Sequence, residues 1–262
     1  MRRDDVVWIT GASSGIGRAL ALELSSQGAQ LVLTARREDM LQEVRDACAA
    51  PERTHLLPGD LLDPDAWAPL AAQAAQLAGP VDVLVNNAGL GQRALAQQTD
   101  VADVRRIMEL NFHAPVALTN AVLPSMVERG RGQIVIISSV TGYVGTPLRS
   151  SYAASKHAVR GYFDSLRAEL DGSGVGVLIV CPGYIKTEIS QHAISATGGE
   201  HGKQDAAIAK GMAADACARG IVTAMRRGRS ELLIGGKEIY AVYMKRWFPR
   251  LVERVVPGQA PS

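Results

Sequence analysis

Short apolar runs rich in β-branched residues recur along this chain with longer helical patterns between them, and few folds accept that alternation. The runs are Val6 to Thr10, Gln30 to Ala35, Thr54 to Leu57, Val81 to Val85, Gln133 to Ser138, Val175 to Cys181 and Glu231 to Ile234. Helical spacing fills Gly15 to Gln27, Arg37 to Cys48, Pro64 to Ala78, Val101 to Glu128, Tyr152 to Leu170 and Ala206 to Arg227. A strand with one wet face alternates apolar and polar residues; these runs are apolar on successive residues, so both faces must be covered. Strands separated by helices pair in parallel, through crossovers that lay the helices on the sheet. The expected fold class is therefore α/β, a doubly wound parallel sheet of about seven strands with helices on both faces.

At 262 residues, with no internal repeat or low-complexity linker, the chain reads as one domain with a large core. We expect that unit to cover residues 1–236 with a lid at about 187–215, and an amphipathic extension and tail to occupy 237–262. Thr187 to Asp205, with its "SATGGEHGKQD", is the one long irregular stretch, and such a loop in a compact domain is either functional or disordered. The formal charge of +2 and one short basic run at Arg226 to Arg229 argue against a nucleic-acid partner. Cys48, Cys181 and Cys217 have no paired spacing, and His55, His113, His157, His192 and His201 form no ligand motif, so neither a metal nor a disulfide framework is expected. The apolar run behind "MRRDD" is too short for a signal peptide or a membrane span, which makes a reducing, cytoplasmic setting the default expectation.

The first strand leads through "TGASSGIG" into a helix carrying Ile16, Leu20 and Leu24 on one face. Gly11, Gly15 and Gly17 let backbone amides approach a diphosphate without an intervening Cβ, so Gly11, Ser13, Ser14, Gly15, Ile16 and Gly17 are candidate dinucleotide contacts on a Rossmann-type sheet. A fold of this type that selects NAD places an acid about twenty residues further on, to take the ribose 2′-hydroxyl. Here the second strand ends in Ala35, Arg36 and Arg37. A guanidinium at Arg36 suits a 2′-phosphate and hence NADP(H); the alternative is a pair of solvated arginines opening a helix.

Tyr152 and Lys156 are four residues apart, so they are neighbours on one helix face, and Ala153, Ala154 and Ser155 between them are small. One reading is a phenol stacked on a lysine stem at an exposed turn. The other is catalytic. Lowering a tyrosine by about three pKa units from its usual 10 requires roughly 4 kcal/mol. A unit charge about 4 Å away at an effective dielectric near 20 supplies about that amount, which would let the phenol give a proton to a reduced carbonyl or take one from an alcohol.

Together with "GDL" at Gly59 to Leu61, "NNAG" at Asn86 to Gly89, Asn111, Ser139 and "PGYIKT" at Pro182 to Thr187, these motifs resemble the short-chain dehydrogenase/reductase family over roughly Val6 to Ile234. Ser139 stands thirteen residues before Tyr152, as that family requires. The resemblance implies a catalytic set of Asn111, Ser139, Tyr152 and Lys156. It implies that Asp60 and Leu61 contact the adenine, that Asn87, Ala88 and Gly89 support the cofactor, and that Lys156 holds the nicotinamide ribose. Pro182, Gly183, Ile185 and Thr187 would lie near the carboxamide. The implied activity is hydride transfer between NADP(H) and a small-molecule carbonyl or secondary alcohol, in a homodimer or homotetramer built through the helices of Asn111 and Tyr152. A cofactor-binding sensor or scaffold without turnover is the alternative.

Pro115 follows Asn111 by four residues and has no N–H to bond the Asn111 carbonyl, so a kink is expected there, either serving the site or merely bending the helix. Thr141 to Val144, Leu90, Gly91, Tyr184, Ile185 and Ile189 are expected pocket walls, suiting a hydrophobic substrate rather than a sugar or phosphate ester. After the last strand, Tyr240, Tyr243, Met244, Trp247, Phe248, Leu251 and Val255 follow helical spacing among Lys245, Arg246, Arg250 and Arg254. Such a segment packs on its own core or a partner subunit, rests on an anionic membrane surface or carries lipophilic substrate toward the site, and it resembles the steroid-dehydrogenase-like branch, which favours lipophilic substrates. Pro249 should bend or break its helix.

Overall fold

Successive residues of β1 (Val6–Thr10) point to opposite faces of the sheet, and both faces are dry: Val7 and Ile9 join one apolar cluster and Trp8 the other. The computed structural model describes residues 3 to 259, so the ends of the expected units, at 1–2 and 260–262, lie outside the described residues. In chain order the elements are α1 (Gly15–Ser26), β2 (Gln30–Thr34), α2 (Glu38–Asp46), β3 (Thr54–Leu56), α3 (Trp67–Ala78), β4 (Val83–Asn86), β5 (Gln92–Arg93), α4 (Val101–Met108), α5 (Ala114–Glu128), β6 (Gly132–Ile137), α6 (Ser150–Glu169), β7 (Val175–Pro182), β8 (Ile194–Ser195), α7 (Ala206–Ala209), α8 (Ala214–Arg226), β9 (Glu231–Ile234), α9 (Tyr240–Trp247) and α10 (Pro249–Val255).

Seven strands form one parallel sheet in the order β3-β2-β1-β4-β6-β7-β9. From β1 the chain first winds outward through β2 and β3, then returns to place β4 on the other side of β1. The crevice opens where that order reverses, beyond the carboxyl ends of the strands. One face is packed by Leu20 and Leu24 of α1, Leu41 of α2 and Ile221 of α8; the other by Leu70 of α3, Leu118 of α5 and Phe163 of α6.

Two expected helices are interrupted, each for a local reason. The stretch Val101 to Glu128 contains a widened π-type turn at Glu109–His113, in which the Ala114 N–H reaches back to the Glu109 carbonyl. Pro115 cannot bond the Asn111 carbonyl in the regular pattern, and the extra residue in the turn absorbs that defect. The stretch Ala206 to Arg227 divides into α7 and α8 because the chain between them pairs with the segment after β7. The Met212 N–H donates to the Tyr184 carbonyl (2.9 Å) and the Lys186 N–H to the Met212 carbonyl (2.8 Å).

The region expected as an irregular lid is ordered around a second, two-stranded sheet of β5 and β8. After β9, Phe248 ends α9 and Pro249 opens α10, the break expected at the proline. Val242 and Val252 are buried, whereas Tyr240, Tyr243, Trp247 and Phe248 are exposed. No helix among the described residues is long and apolar enough to cross a membrane.

Candidate active site

A cleft of about 910 Å³ runs across the carboxyl edge of the sheet, from the end of β2 past the first turn of α6 to the C-terminal helices. At one end is the N-terminus of α1. Ser14 caps that helix without a side-chain hydrogen bond, and no acid occupies its first turn, so its leading N–H groups and positive dipole end remain available to an anion. Gly11, Ser13, Ser14, Gly15 and Ile16 line the cleft there. Gly17 does not; it stands behind the turn, where a Cβ would lie 2.2 Å from the Gly11 carbonyl oxygen and 2.5 Å from Asn87 Nδ2. Its contribution is close packing rather than direct contact.

Asn87 fastens the same turn by donating from Nδ2 to the carbonyls of Thr10 and Gly11 (3.0 Å each), while Thr10 Oγ1 accepts from the N–H groups of Asn87 and Ala88. Arg36 and Arg37 are exposed side chains on the cleft rim beyond β2. Asp60 and Leu61 line the adjoining wall, where the Asp60 carboxylate accepts from the Leu62 N–H (3.0 Å).

Tyr152 lies in the first turn of α6, with Lys156 one turn later and Ser139 just past the end of β6. Lys156 is 4% exposed and its Nζ donates to the Ile137 carbonyl (2.9 Å), standing 5.7 Å from the centre of the Tyr152 ring. Burial holds its pKa down at about 8. Burial also raises the pKa of Tyr152, opposed by hydrogen bonding to Ser139, by the charges of Arg149 and Arg93, and by hydrogen bonding to Thr141. The spacing points to Lys156 as the cation beside the phenol; the folded protein adds two that the spacing does not show, Arg149 and Arg93, and both oppose the upward shift.

Ser138 and Ser139 part company at the strand end: Ser138 Oγ donates to the Lys156 carbonyl (3.1 Å), which leaves Ser139 as the hydroxyl beside the phenol. Asn111 is buried in the widened turn and does not line the cleft. It accepts from the Leu90 N–H (2.7 Å), donates to the Leu90 carbonyl (3.0 Å) and donates to Ser155 Oγ (3.0 Å), which itself bonds the Tyr152 carbonyl. Gly89 is tight against this knot, since a Cβ there would meet Asn111 Oδ1 at 3.3 Å and Lys156 Nζ at 3.7 Å. Ala88, Asn87, Pro182, Gly183, Ile185 and Thr187 also line the cleft.

Of the expected walls, Gly142 and Tyr143 are not in the cleft. The Tyr143 ring lies 3.4 Å under the Arg160 guanidinium and its hydroxyl donates to Glu231. Sequence reasoning missed Gln92, Arg93, Arg149 and Asp205. Gln92 Oε1 accepts from the N–H groups of Ser151 (2.8 Å) and Tyr152 (3.3 Å), capping α6 from a different strand. A local capping motif would have shown in the sequence; here Arg149 occupies the cap and the acceptor is remote. Of the C-terminal helices, Met244, Leu251, Val252 and Val255 form part of the cleft wall.

A family model described as short chain dehydrogenase matches residues 5–197. The rat protein named dehydrogenase/reductase SDR family member 7B is 41% identical, the match covering 98% of this chain and 82% of that one. Among solved structures, a short-chain dehydrogenase from Streptomyces avermitilis is 29% identical with a TM-score of 0.82, covering 96% of this chain and 94% of that chain. A short chain dehydrogenase/reductase from Burkholderia phymatum, solved in complex with NAD, is 25% identical with a TM-score of 0.85 over 96% of each chain. With its seven-stranded parallel sheet and motif order in agreement, the chain belongs to the short-chain dehydrogenase/reductase family of oxidoreductases.

Proposed function

We propose that the chain is an NADP(H)-dependent oxidoreductase that interconverts a lipophilic carbonyl compound and its secondary alcohol, with Tyr152 as the acid and base. The observation that carries this reading is the single cleft in which the phenol, Lys156 and Ser139 share a wall with the open N-terminus of α1 and with Arg36. The dinucleotide, when bound, supplies or accepts the hydride. The amides around Ser13 to Ile16 would take its diphosphate, the Asp60 and Leu61 wall its adenine, the segment from Pro182 to Thr187 its nicotinamide end, and Lys156 would hold the ribose. The Burkholderia protein was solved with NAD; what favours NADP(H) here is that Arg36 and Arg37, rather than a carboxylate, follow the second strand.

In the reducing direction Ser139 and Tyr152 hydrogen-bond the carbonyl oxygen, and the phenol gives up its proton as negative charge develops there. The phenol, which burial shifts upward from its ordinary value, is in the protonated form that an acid needs. In the oxidising direction the phenolate takes the proton back. Asn111 holds the Leu90 loop and α6 in register. The apolar wall of Met244, Leu251, Val252 and Val255 suits a lipophilic substrate.

NADPH and NADH consumption measured against aldehydes, ketones, keto-steroids and long-chain carbonyls tests the cofactor assignment. NADPH is expected to be preferred, and Arg36→Ala to weaken NADPH by ~10- to 100-fold in kcat/KM while changing NADH little. A wild-type preference for NADH contradicts the assignment. The same reading keeps a homodimer or homotetramer through the α5 and α6 faces and a cytoplasmic setting. Peripheral membrane contact through the exposed aromatic residues of the C-terminal helices belongs to it as well.

A further inference from the structure

Beside the phenol the protein buries more positive charge than it neutralises. Arg93 of β5 and Arg149 at the N-terminus of α6 have side chains 5% and 9% exposed, and both meet the same carboxylate, Asp205, itself 2% exposed. Arg93 is fully engaged: its Nε donates to both carboxylate oxygens (3.2 and 3.0 Å), its Nη2 to one of them, and its Nη1 to the Gln92 carbonyl (2.6 Å). Arg149 gives Asp205 a single bond from Nη2 (3.0 Å), and its Nε is buried with no partner.

Two guanidiniums against one carboxylate leave one net positive charge in the wall. A buried charge without a counter-ion is costly, and a strut tying the lid to β5, and through Gln92 to α6, would be served by Arg93 and Asp205 alone. Arg149 is instead held in place by a demanding backbone. Leu148 before it has φ +64, the left-handed region that a leucine rarely adopts, and its carbonyl accepts from the Ala94 N–H (3.2 Å). Both arginines line the cleft, and both act electrostatically on Tyr152, so this charge lies near the reacting oxygen proposed above. Guanidinium recognises carboxylate and phosphate oxygens by charge-assisted hydrogen bonds.

We propose that Arg149, braced by the Arg93–Asp205 pair, is an anion subsite of the substrate cleft, and that the carbonyl or alcohol substrate is an amphiphile carrying a carboxylate or phosphate. The anion sits at Arg149 while the apolar part extends toward Met244, Leu251 and Val252. This rests on the reductase reading and refines it: the mixed, mainly apolar pocket walls expected from the sequence did not include Arg93 and Arg149.

The test is calorimetric titration of the NADP⁺-loaded protein with a medium-chain γ-keto acid, its methyl ester and the matching keto alkyl phosphate. In the wild type at least one of the two anions should bind ~10- to 100-fold more tightly than the ester, as charge-assisted hydrogen bonds to a guanidinium imply, and the better one assigns the headgroup. Arg149→Met should bring that gap within ~3-fold and Arg149→Lys should restore part of it. Equal binding of all three ligands by the wild type overturns the subsite, as does an undiminished gap in Arg149→Met. If Arg149→Met is too unstable to titrate, the wild-type gap and its reduction in Arg149→Lys decide. NADPH consumption with the methyl ester separates the two ideas: turnover without anion preference removes the subsite and leaves the reductase, whereas anion preference without turnover of any ligand does the reverse.

Discussion

Lys156 keeps a cation in a place that water barely reaches, where its Nζ donates to the Ile137 carbonyl. Its pKa of about 8 against an ordinary 10.5 means that the folded form releases a proton more readily than the unfolded chain does. Below pH 8 both forms are charged and the penalty is fully present. Between about 8 and 10.5 the unfolded chain holds more protons, so raising the pH favours the folded form and the penalty fades. For the cofactor-free protein, the unfolding free energy of wild type relative to Lys156→Met should rise across that window, by about 3 kcal/mol over its full width. Denaturant titrations at several pH values measure it, and parallel curves for the two proteins would show the ammonium to be better solvated than its burial implies. Tyr152 is tuned differently, since burial outweighs its hydroxyl neighbours and the two arginines. On the proposed reading, a phenol raised this way is an acid whose surroundings bound cofactor and substrate complete.

Among the elements, α6 carries both Tyr152 and Lys156, and its first turn is fixed from outside by Gln92 of the two-residue β5. Gln92 also donates from Nε2 to Thr99 Oγ1 (2.8 Å), so the side chain is used at both ends. Replacing it with methionine keeps the volume but leaves the helix N–H groups of Ser151 and Tyr152, the first of them buried, without their acceptor. Gln92→Met should lower the unfolding free energy by about 1–3 kcal/mol, read by denaturant or thermal unfolding; an unchanged stability would mean that water supplies the cap. The C-terminal helices divide their labour by face. Leu251, Val252 and Val255 look into the cleft, while Tyr240, Tyr243, Trp247 and Phe248 face outward near Lys245, Arg246 and Arg250. If that outward face rests on an anionic bilayer, the wild type should co-sediment with phosphatidylserine-containing vesicles, and Trp247→Ser with Phe248→Ser should weaken partitioning by ~10-fold or more. Wild type that stays in the supernatant would end the membrane proposal.

At the scale of the whole molecule, the sheet and most of the site could be read in the sequence because each rests on local spacing. The consecutive apolar residues of Val6 to Thr10 required burial on both faces, and Val7, Trp8 and Ile9 have it. The glycine turn, Ser139, and the Tyr152 and Lys156 pair are contiguous or regularly spaced, and they meet in one cleft. What stayed hidden depends on contacts between distant segments. Gln92 caps a helix some sixty positions away, Asp205 joins Arg93 and Arg149 across 112 and 56 positions, and the two-residue strands β5 and β8 are too short to leave a period. Helix spacing put Lys156 beside the Tyr152 ring, where it is; it could not show that Arg93, from β5, and Arg149 also act on the phenol.

The central claim is that the Tyr152 phenol carries the proton in a hydride-transfer reaction between a nicotinamide cofactor and a carbonyl group. Its most direct test is a comparison of wild type and Tyr152→Phe in NADPH-linked turnover, with NADPH affinity measured separately by fluorescence. The variant should lose ~10²- to 10⁴-fold in kcat while binding the cofactor within ~3-fold of wild type. Equal turnover by the two proteins would contradict the account.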